Sequence, residues 1–270
     1  MSGFTAQWLA LREPADAAAR STRLDRVIAD ALVSRPRIRV VDLGCGAGSN
    51  LRYLTPRLPP RQEWLLVDDD PGLLQLAATS ASHAQAPVDV SSRVLDLGSV
   101  DDRLFARRDL VTASALLDLV SEAWLVRVVE RCRQHAACVL AVLSYDGRIE
   151  CTPTEDEDDE VRALVNRHQR REKGFGPALG PDAGARAEAL LLEAGFHVWR
   201  ERSDWVLDAR HRELQLELID GWAAAASEIA PSSAARIAGW RLRRRAHVDA
   251  GDSHLRVGHD DVAALPASNA

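Results

Sequence analysis

Three observations predict a doubly wound α/β fold built on a mostly parallel sheet of seven strands. Short apolar runs alternate with helical patterns along the 270 residues. The runs are apolar throughout rather than alternating with polar residues, which marks strands covered on both faces. A glycine cluster directly follows the first run, where such folds place a ligand-binding turn. Hydrophobic residues make up 46% of the chain, enough for one large core, and a single domain over 1–270 is expected.

Residues 1–34 read as helical and lie outside the alternation. The first strand is "RIRVVDL" (37–43), and Gly44 stops it. A helix follows in which Leu51, Leu54 and Leu58 share a face, with Pro56 shortening or kinking it. "EWLLV" (63–67) is the second strand. Asp70 followed by Pro71 pairs an N-cap residue with a first-turn proline, so a helix is predicted over 71–82. "RVL" (93–95), "LVTA" (110–113) and "ACVLAVLS" (137–144) are the next strands. Ser121 caps a helix with Leu125, Val128, Val129 and Cys132 on one face. Residues 150–181 form a second departure from the alternation. Asp182 caps a further helix, which Gly195 ends. "FHVWRERSDWVL" (196–207) is the sixth strand. A helical stretch over about 211–250 places Leu214, Leu218 and Trp222 at spacing four, "SHLRVGHDDV" (253–262) is the last strand, and "ALPASNA" is read as a loose tail.

Composition excludes several classes. The net charge of −6 argues against a nucleic-acid backbone as the main ligand. Cys45, Cys132, Cys138 and Cys151 form no CxxC pair, and no His lies at zinc-finger spacing to them, so neither structural zinc nor a disulfide framework is expected. The N-terminus lacks a signal-peptide pattern, and no apolar run of about 18 residues exists. The expectation is a soluble, cytoplasmic protein without a membrane span.

"DLGCGAGSN" (42–50) spaces its glycines GxGxG, at Gly44, Gly46 and Gly48. A dinucleotide fingerprint would need a glycine where Ser49 stands. With Asp42 two residues before the first glycine, "VVDLGCGAGSN" resembles the first motif of the class I, Rossmann-like S-adenosylmethionine-dependent methyltransferases. The resemblance implies that S-adenosyl-L-methionine is the cofactor. It passes the backbone of Gly44, Cys45 and Gly46 under the methionine part, has Asp42 orient the amino group, and brings Asn50 to the same region.

In the same family an acid ending the second strand holds both ribose hydroxyls, and Asp68 matches it; a carboxylate accepts two hydrogen bonds from a vicinal diol. Asp69 then lies beside the adenine, where the family often has an apolar residue, and Asp70 is read as a helix cap. "RVLDLGS" offers Asp96 for the adenine amino group and Leu97 as a ring contact. "DLVTASALLDLV" resembles the fourth-strand motif, which places Ala113 and Ser114 near the sulfonium, Leu116 and Leu117 as walls, and Asp118 facing the substrate or starting the next helix. The rival for "DDD" is a DxD metal site of a glycosyltransferase using Asp68–Asp70, which would suit Mg²⁺ or Mn²⁺ but leaves the glycine loop unexplained. No metal ligand set is assigned.

The acceptor is less constrained, because methyl transfer mainly needs alignment of nucleophile and methyl. The fourth strand does not end in Asp/Asn-Pro-Pro-aromatic, and no Pro-Cys pair is present, which disfavours the subclasses acting on exocyclic amines and on pyrimidine carbons. The N-terminal helices (1–34) and the segments 150–181 and 208–252 are expected to form helical lid insertions on the acceptor side of a cofactor-binding core over 37–145. Within "NRHQRREKGFGPALGPD" (166–182), Asn166, Arg167, His168, Arg170, Arg171 and Lys173 supply donors and Phe175 a ring, suiting an anionic or polyhydroxyl small molecule. The alternative is a solvated helix whose basic end answers the acidic "EDEDDE" start. His168 is the candidate base for a hydroxyl acceptor; Asp118 and Tyr145 are the other catalytic candidates. Arg12 and Arg20 either meet the cofactor carboxylate or lie on a surface helix face. The basic run "WRLRRRAH" (240–247) keeps RNA methylation as the alternative to a small-molecule acceptor methylated at O or N.

Overall fold

A computed structural model describes residues 4–81 and 88–267. Strands β1 (Ile38–Leu43), β2 (Gln62–Asp68), β3 (Val88–Val94), β4 (Leu110–Ser114), β5 (Cys138–Thr152), β6 (Phe196–Arg202), β7 (Trp205–Leu207) and β8 (His254–Pro266) form one sheet. Its order is β3-β2-β1-β4-β5-β8-β6, with β7 also on β8. The first five strands pair in parallel, and β8 runs antiparallel to β5, β6 and β7.

Helices cover both faces. Val41, Leu43, Val111, Ala113, Val139 and Ala141 point to the side where α5 (Glu122–Gln134) and α7 (Ala183–Glu193) pack. Val40, Leu110, Leu140 and Val142 point to the side of α2 (Thr22–Leu32), α3 (Ser49–Leu54) and α4 (Pro71–Ala81). Neighbouring residues of one strand thus serve opposite cores, which is why the sequence runs are continuously apolar. A third cluster lies under α6 (Asp158–Gln169), α8 (Arg212–Ile229) and α9 (Ala234–Ala250), against which α1 (Ala6–Ala19) also packs.

Several boundaries differ from expectation. Among the described residues the sheet has eight strands, because the predicted sixth strand breaks at Ser203–Asp204. There the Ser203 hydroxyl donates to Asp261 Oδ1 (2.6 Å), while its N–H donates to the His259 carbonyl (2.9 Å), and both pieces still pair with β8. The fifth strand continues to Thr152 rather than ending at Ser144, because β8 pairs along its whole length across two register shifts. Tyr145 and Asp146 therefore lie within a strand. The expected loose tail is ordered in part: Ala264, Leu265 and Pro266 pair with β6, and 268–270 lie outside the described residues. The third strand begins at Val88, and of the predicted 71–82 helix residue 82 is not described. Pro56 ends α3 as expected, sitting in the single 3₁₀ turn Thr55–Arg57. Among the described residues no helix is long and apolar enough to cross a membrane.

Candidate active site

At the carboxyl ends of β1, β2 and β4 the chain opens a cavity of about 430 Å³. Its floor is the glycine loop. Gly44, Gly46 and Gly48 have φ of 67°, 50° and 82°, the left-handed region that glycine enters without strain. The N–H groups of Gly44 and Cys45 both donate to the Val67 carbonyl (2.9 and 3.0 Å), and that of Gly46 to Asp68 Oδ2 (2.8 Å), so the end of β2 shapes the loop. A Cβ on Gly46 would stand 3.0 Å from Leu9 Cδ1 and narrow the cavity. One on Gly48 would meet Ala77 Cβ at 3.0 Å, so this third glycine lets α3 and α4 approach and does not line the cavity.

Asp68 lies at one end. Its Oδ2 accepts from Gly46 and its Oδ1 from the Asp70 N–H (3.0 Å), which leaves a lone pair on each oxygen for further donors. Burial holds its carboxyl above the usual range. Asp69 lines the same end. Asp70 Oδ1 accepts from Gly72 (2.7 Å) and Leu73 (3.1 Å), the N-cap of α4 that the sequence indicates. Asp96 Oδ1 accepts from Gly98 (2.8 Å), and both Asp96 and Leu97 line the wall. Asp68 and Asp70 thus have separate partners, while Asp69 stands beside Asp68 and raises its pKa further. Among the described residues no group of three or more His, Cys, Asp or Glu is arranged to hold a metal ion.

A buried polar network lies beneath the loop. Asn50 Nδ2 donates to Asp42 Oδ1 (2.8 Å) and to Thr112 Oγ1 (3.1 Å), and Asn50 Oδ1 accepts from Arg20 Nη1 (2.7 Å). Asp42 itself is fully buried and does not line the cavity; Asn50 stands between them. Burial pushes the Asp42 carboxyl up to about 7, and its Oδ2 has no partner. The Arg20 guanidinium stacks on Tyr53 at 3.9 Å, and its Nε and Nη2 make no hydrogen bond. No motif of the sequence gives Arg20 or Thr112 its role. Both reach the network by sheet neighbourhood and packing, which carry no local signal.

Beyond the loop the cavity is bounded by Ser114, Ala115, Leu116, Leu119, Phe175, and the α1 residues Leu9, Arg12 and Asp16 with Phe4 before them. Leu9, Arg12 and Asp16 share one face of α1 by helical spacing, and α1 is clamped onto α3 by Glu13, which accepts Arg52 Nε (2.8 Å) and Nη2 (2.6 Å). Ala113 faces the α5/α7 core and does not line the cavity. Phe175 meets Trp124 edge-on at 6.0 Å, in a turn whose Glu172 side chain accepts from Gly174 and Gly176.

Asp118, Tyr145 and His168 lie behind this wall and not in it. Burial pushes the Asp118 carboxyl up to about 6, against the Tyr145 N–H, Arg12 and Lys173, which favour its charge. The Tyr145 hydroxyl donates to Asn166 Oδ1 (2.7 Å), and burial raises its pKa. His168 Nε2 lies 3.3 Å from Glu228 Oε2 on α8, and burial lowers its pKa, with Lys173 nearby adding to the effect. Of the other lid donors, Asn166 also bonds the Gly147 carbonyl, Arg170 pairs with Asp182, and Arg171 with Glu228. From 150–181 only Phe175 reaches the cavity wall, and from 208–252 no residue does.

The basic run of α9 is answered within the fold. Arg241 and Arg245 pair with Asp220, Arg243 with Glu155 and Glu157, and Arg244 with Asp158.

A glycine cradle, an acid that retains acceptor capacity at the end of β2, and an apolar wall after β4 fit a nucleoside joined to an amino acid. The fold and site define a donor-binding domain of the doubly wound kind. Residues 40–137 match the family model described as a methyltransferase domain. That match covers the glycine loop and the ends of β2 and β4, the stretch whose motifs resemble the class I S-adenosylmethionine-dependent methyltransferases. The fold is similar to that of the cyclopropane synthase MmaA2 from Mycobacterium tuberculosis, with a TM-score of 0.51 at 12% identity over 96% of this chain and 94% of that one. It is also similar to the YcgJ protein from Bacillus subtilis, with a TM-score of 0.50 at 14% identity over 91% and 99%. No curated protein sequence matches significantly.

Proposed function

We propose that the enzyme methylates an oxygen or nitrogen of a small-molecule acceptor. The observation that carries this is the cavity, which continues from the Asp68 end to the α1 and Phe175 wall as one partly open space of about 430 Å³. Such a space suits a donor and a small acceptor rather than a nucleic-acid track. The pairing of the α9 arginines within the fold supports the same reading over RNA. Four buried cysteines, none in a disulfide, fit a reducing, cytoplasmic setting.

Bound in the cavity, S-adenosylmethionine supplies a methyl group on a positively charged sulfur that leaves as a neutral thioether. Asp68 holds the ribose diol, Asp69, Asp96 and Leu97 take the adenine side, and Gly44, Cys45 and Gly46 bed the methionine part. Asn50, backed by Asp42 and Arg20, orients its amino group. Ser114 stands near the sulfur. The acceptor O or N would take the methyl as the carbon–sulfur bond breaks, and the proton it loses would pass to water. Asp118 acts as a positioning residue by setting the charge balance around Arg12 and Lys173, while Tyr145 and His168 pin α6 to β5 and α8 so that the Phe175 turn stays closed. In this reading α1 and the Phe175 turn form the acceptor side, and the rest of 150–181 with 208–252 buttresses them from behind.

Calorimetry with S-adenosylmethionine tests the donor site. We expect micromolar binding that weakens at least about 100-fold in Asp68→Ala, since two hydroxyls lose a charged acceptor. Unchanged affinity in that variant, or nucleotide-sugar binding that requires Mn²⁺, would overturn the reading.

A further inference from the structure

The two ends of the cavity differ in chemistry. Asp68, Asp69, Asp70 and Asp96 gather over β2 and β3, the side assigned to the donor's nucleoside. At the opposite side, where α1 packs on β7, the charged lining among the described residues is Arg12 and Asp16, and Phe4, Leu9, Leu119 and Phe175 complete the wall. Arg12 is already spoken for. Its Nε donates to Asp16 Oδ2 (2.9 Å) and its Nη2 to Asp16 Oδ1 (3.1 Å), while its guanidinium stacks on Trp205 at 4.9 Å. Asp16 Oδ1 also accepts from Trp205 Nε1 (3.0 Å). Three of about four carboxylate acceptor positions are thereby filled and one is left open. Asp16 is 8% exposed, and it borders both the main cavity and a smaller one of about 170 Å³ beside Asn50 and Ser114.

Charge over the whole lining points the same way. Five carboxylates face one guanidinium. The donor brings one net positive charge and leaves the excess negative. An acceptor carrying a carboxylate or phosphate would find its one cationic partner engaged and would sit in a field of like sign. Of the lid donors, Arg170 is held by Asp182, and Arg171 and His168 by Glu228, while Arg167 and Lys173 do not line the cavity.

We propose that the acceptor is a largely apolar molecule, neutral or cationic, whose O–H or N–H is held by the open acceptor position of Asp16, and that Arg12 serves to lock that carboxylate in place. The apolar body then packs on Phe4, Leu9, Leu119 and Phe175. This rests on the donor reading above and names the substrate class that the same cavity takes.

The test uses protein loaded with S-adenosylhomocysteine and three probes that share an indole body: tryptamine (cationic), tryptophol (neutral) and indole-3-acetate (anionic). Dissociation constants come from calorimetry or saturation-transfer NMR. We expect tryptamine and tryptophol to bind at least about tenfold more tightly than indole-3-acetate. In Asp16→Asn the preference for tryptamine over indole-3-acetate falls at least about fivefold, because the freed Arg12 now meets the carboxylate. In Arg12→Gln it rises, so the two variants move the ratio in opposite directions; if one does not fold, the other still carries the test. Phe175→Ala weakens all three probes alike. A purely structural role for the pair would leave the ratio unchanged. Equal or tighter binding of indole-3-acetate, an unmoved ratio in the folded variants, or no probe bound at millimolar concentration would overturn the proposal. Failure of S-adenosylhomocysteine itself to bind would instead overturn the donor reading.

Discussion

Asp42 shows how a motif residue can sit beneath a site and not in it. Its carboxyl is fully buried and pushed up to about 7, with Asn50 as its hydrogen-bonding side chain. An unfolded aspartate titrates near 4. Below that pH both states hold the proton. Between about 4 and 7 only the native chain holds it, so stability falls as pH rises and the loss is complete above about 7. Between pH 5 and 8 this amounts to about 2–3 kcal/mol at 1.36 kcal/mol per unit. We expect urea denaturation to show that decline, and Asp42→Asn, which mimics the neutral acid, to remove most of it. A wild-type slope that persists in the variant would exclude Asp42 as its source. A second residue, Asp261, carries no motif at all. It accepts from the Leu143 N–H (2.7 Å) and the Ser203 hydroxyl (2.6 Å) through Oδ1, and from the Ser21 N–H (2.9 Å) through Oδ2. It thereby joins the β5 irregularity, the β6–β7 break and the start of α2. Asp261→Ala strands three donors, and at 1–3 kcal/mol for each buried unsatisfied group we expect a loss of about 3 kcal/mol or more in chemical denaturation.

At the scale of elements, the segments 150–181 and 208–252 form one buttress. Arg244 on α9 is fully buried; it donates from Nε to Asp158 Oδ1 (3.0 Å) and from Nη1 to the Pro153 carbonyl (2.5 Å), while Trp240 Nε1 reaches the same Asp158 oxygen (2.7 Å). Arg244→Met leaves a partly buried carboxylate without its cation, and we expect about 3 kcal/mol of destabilisation. Hydrogen exchange should accelerate in α6 and α9 first, with β1 and β4 still protected. Affinity for S-adenosylhomocysteine should stay within about twofold, because no residue of α9 lines the cavity. A large loss of affinity would mean that the buttress shapes the donor site. The helix elements were legible in the sequence through their caps: Asp70 for α4 and Ser121 for α5, whose hydroxyl accepts from the Trp124 N–H at 3.3 Å. The break in the predicted sixth strand was not. It depends on a hydrogen bond between residues 58 apart, Ser203 and Asp261, and propensity has no access to such a partner.

The whole molecule responds to ligand and to charge. A ligand that binds only the native state adds about 2.7 kcal/mol at one hundred times its dissociation constant. We therefore expect saturating S-adenosylhomocysteine to raise the melting temperature by several degrees, and the gain to vanish in Asp68→Ala. The chain carries a net charge of −6, and its α9 arginines are paired within the fold. A single-stranded RNA of 20 or so nucleotides should then show no mobility shift even at low salt, where a phosphate track binds most tightly. A shift that weakens steeply with salt would revive the RNA alternative.

By itself the sequence determined the strand–helix alternation, the glycine loop with its acid, and the acids that follow β2 and β3, on which the proposed donor rests. Each is a local pattern: a run buried on two faces, a turn that only glycine enters without strain, a carboxylate at a strand end. Tertiary structure alone decided which residues share the cavity with them. Packing of α1 on β7 and α3 makes Leu9, Arg12 and Asp16 face the site, while Asp118, Tyr145 and His168 do not line it. The fold also sets the lid arginines against carboxylates distant in sequence, as with Arg171 and Glu228. Charge can be counted along a chain, but whether a charge is free to meet a ligand depends on which partner the fold places beside it.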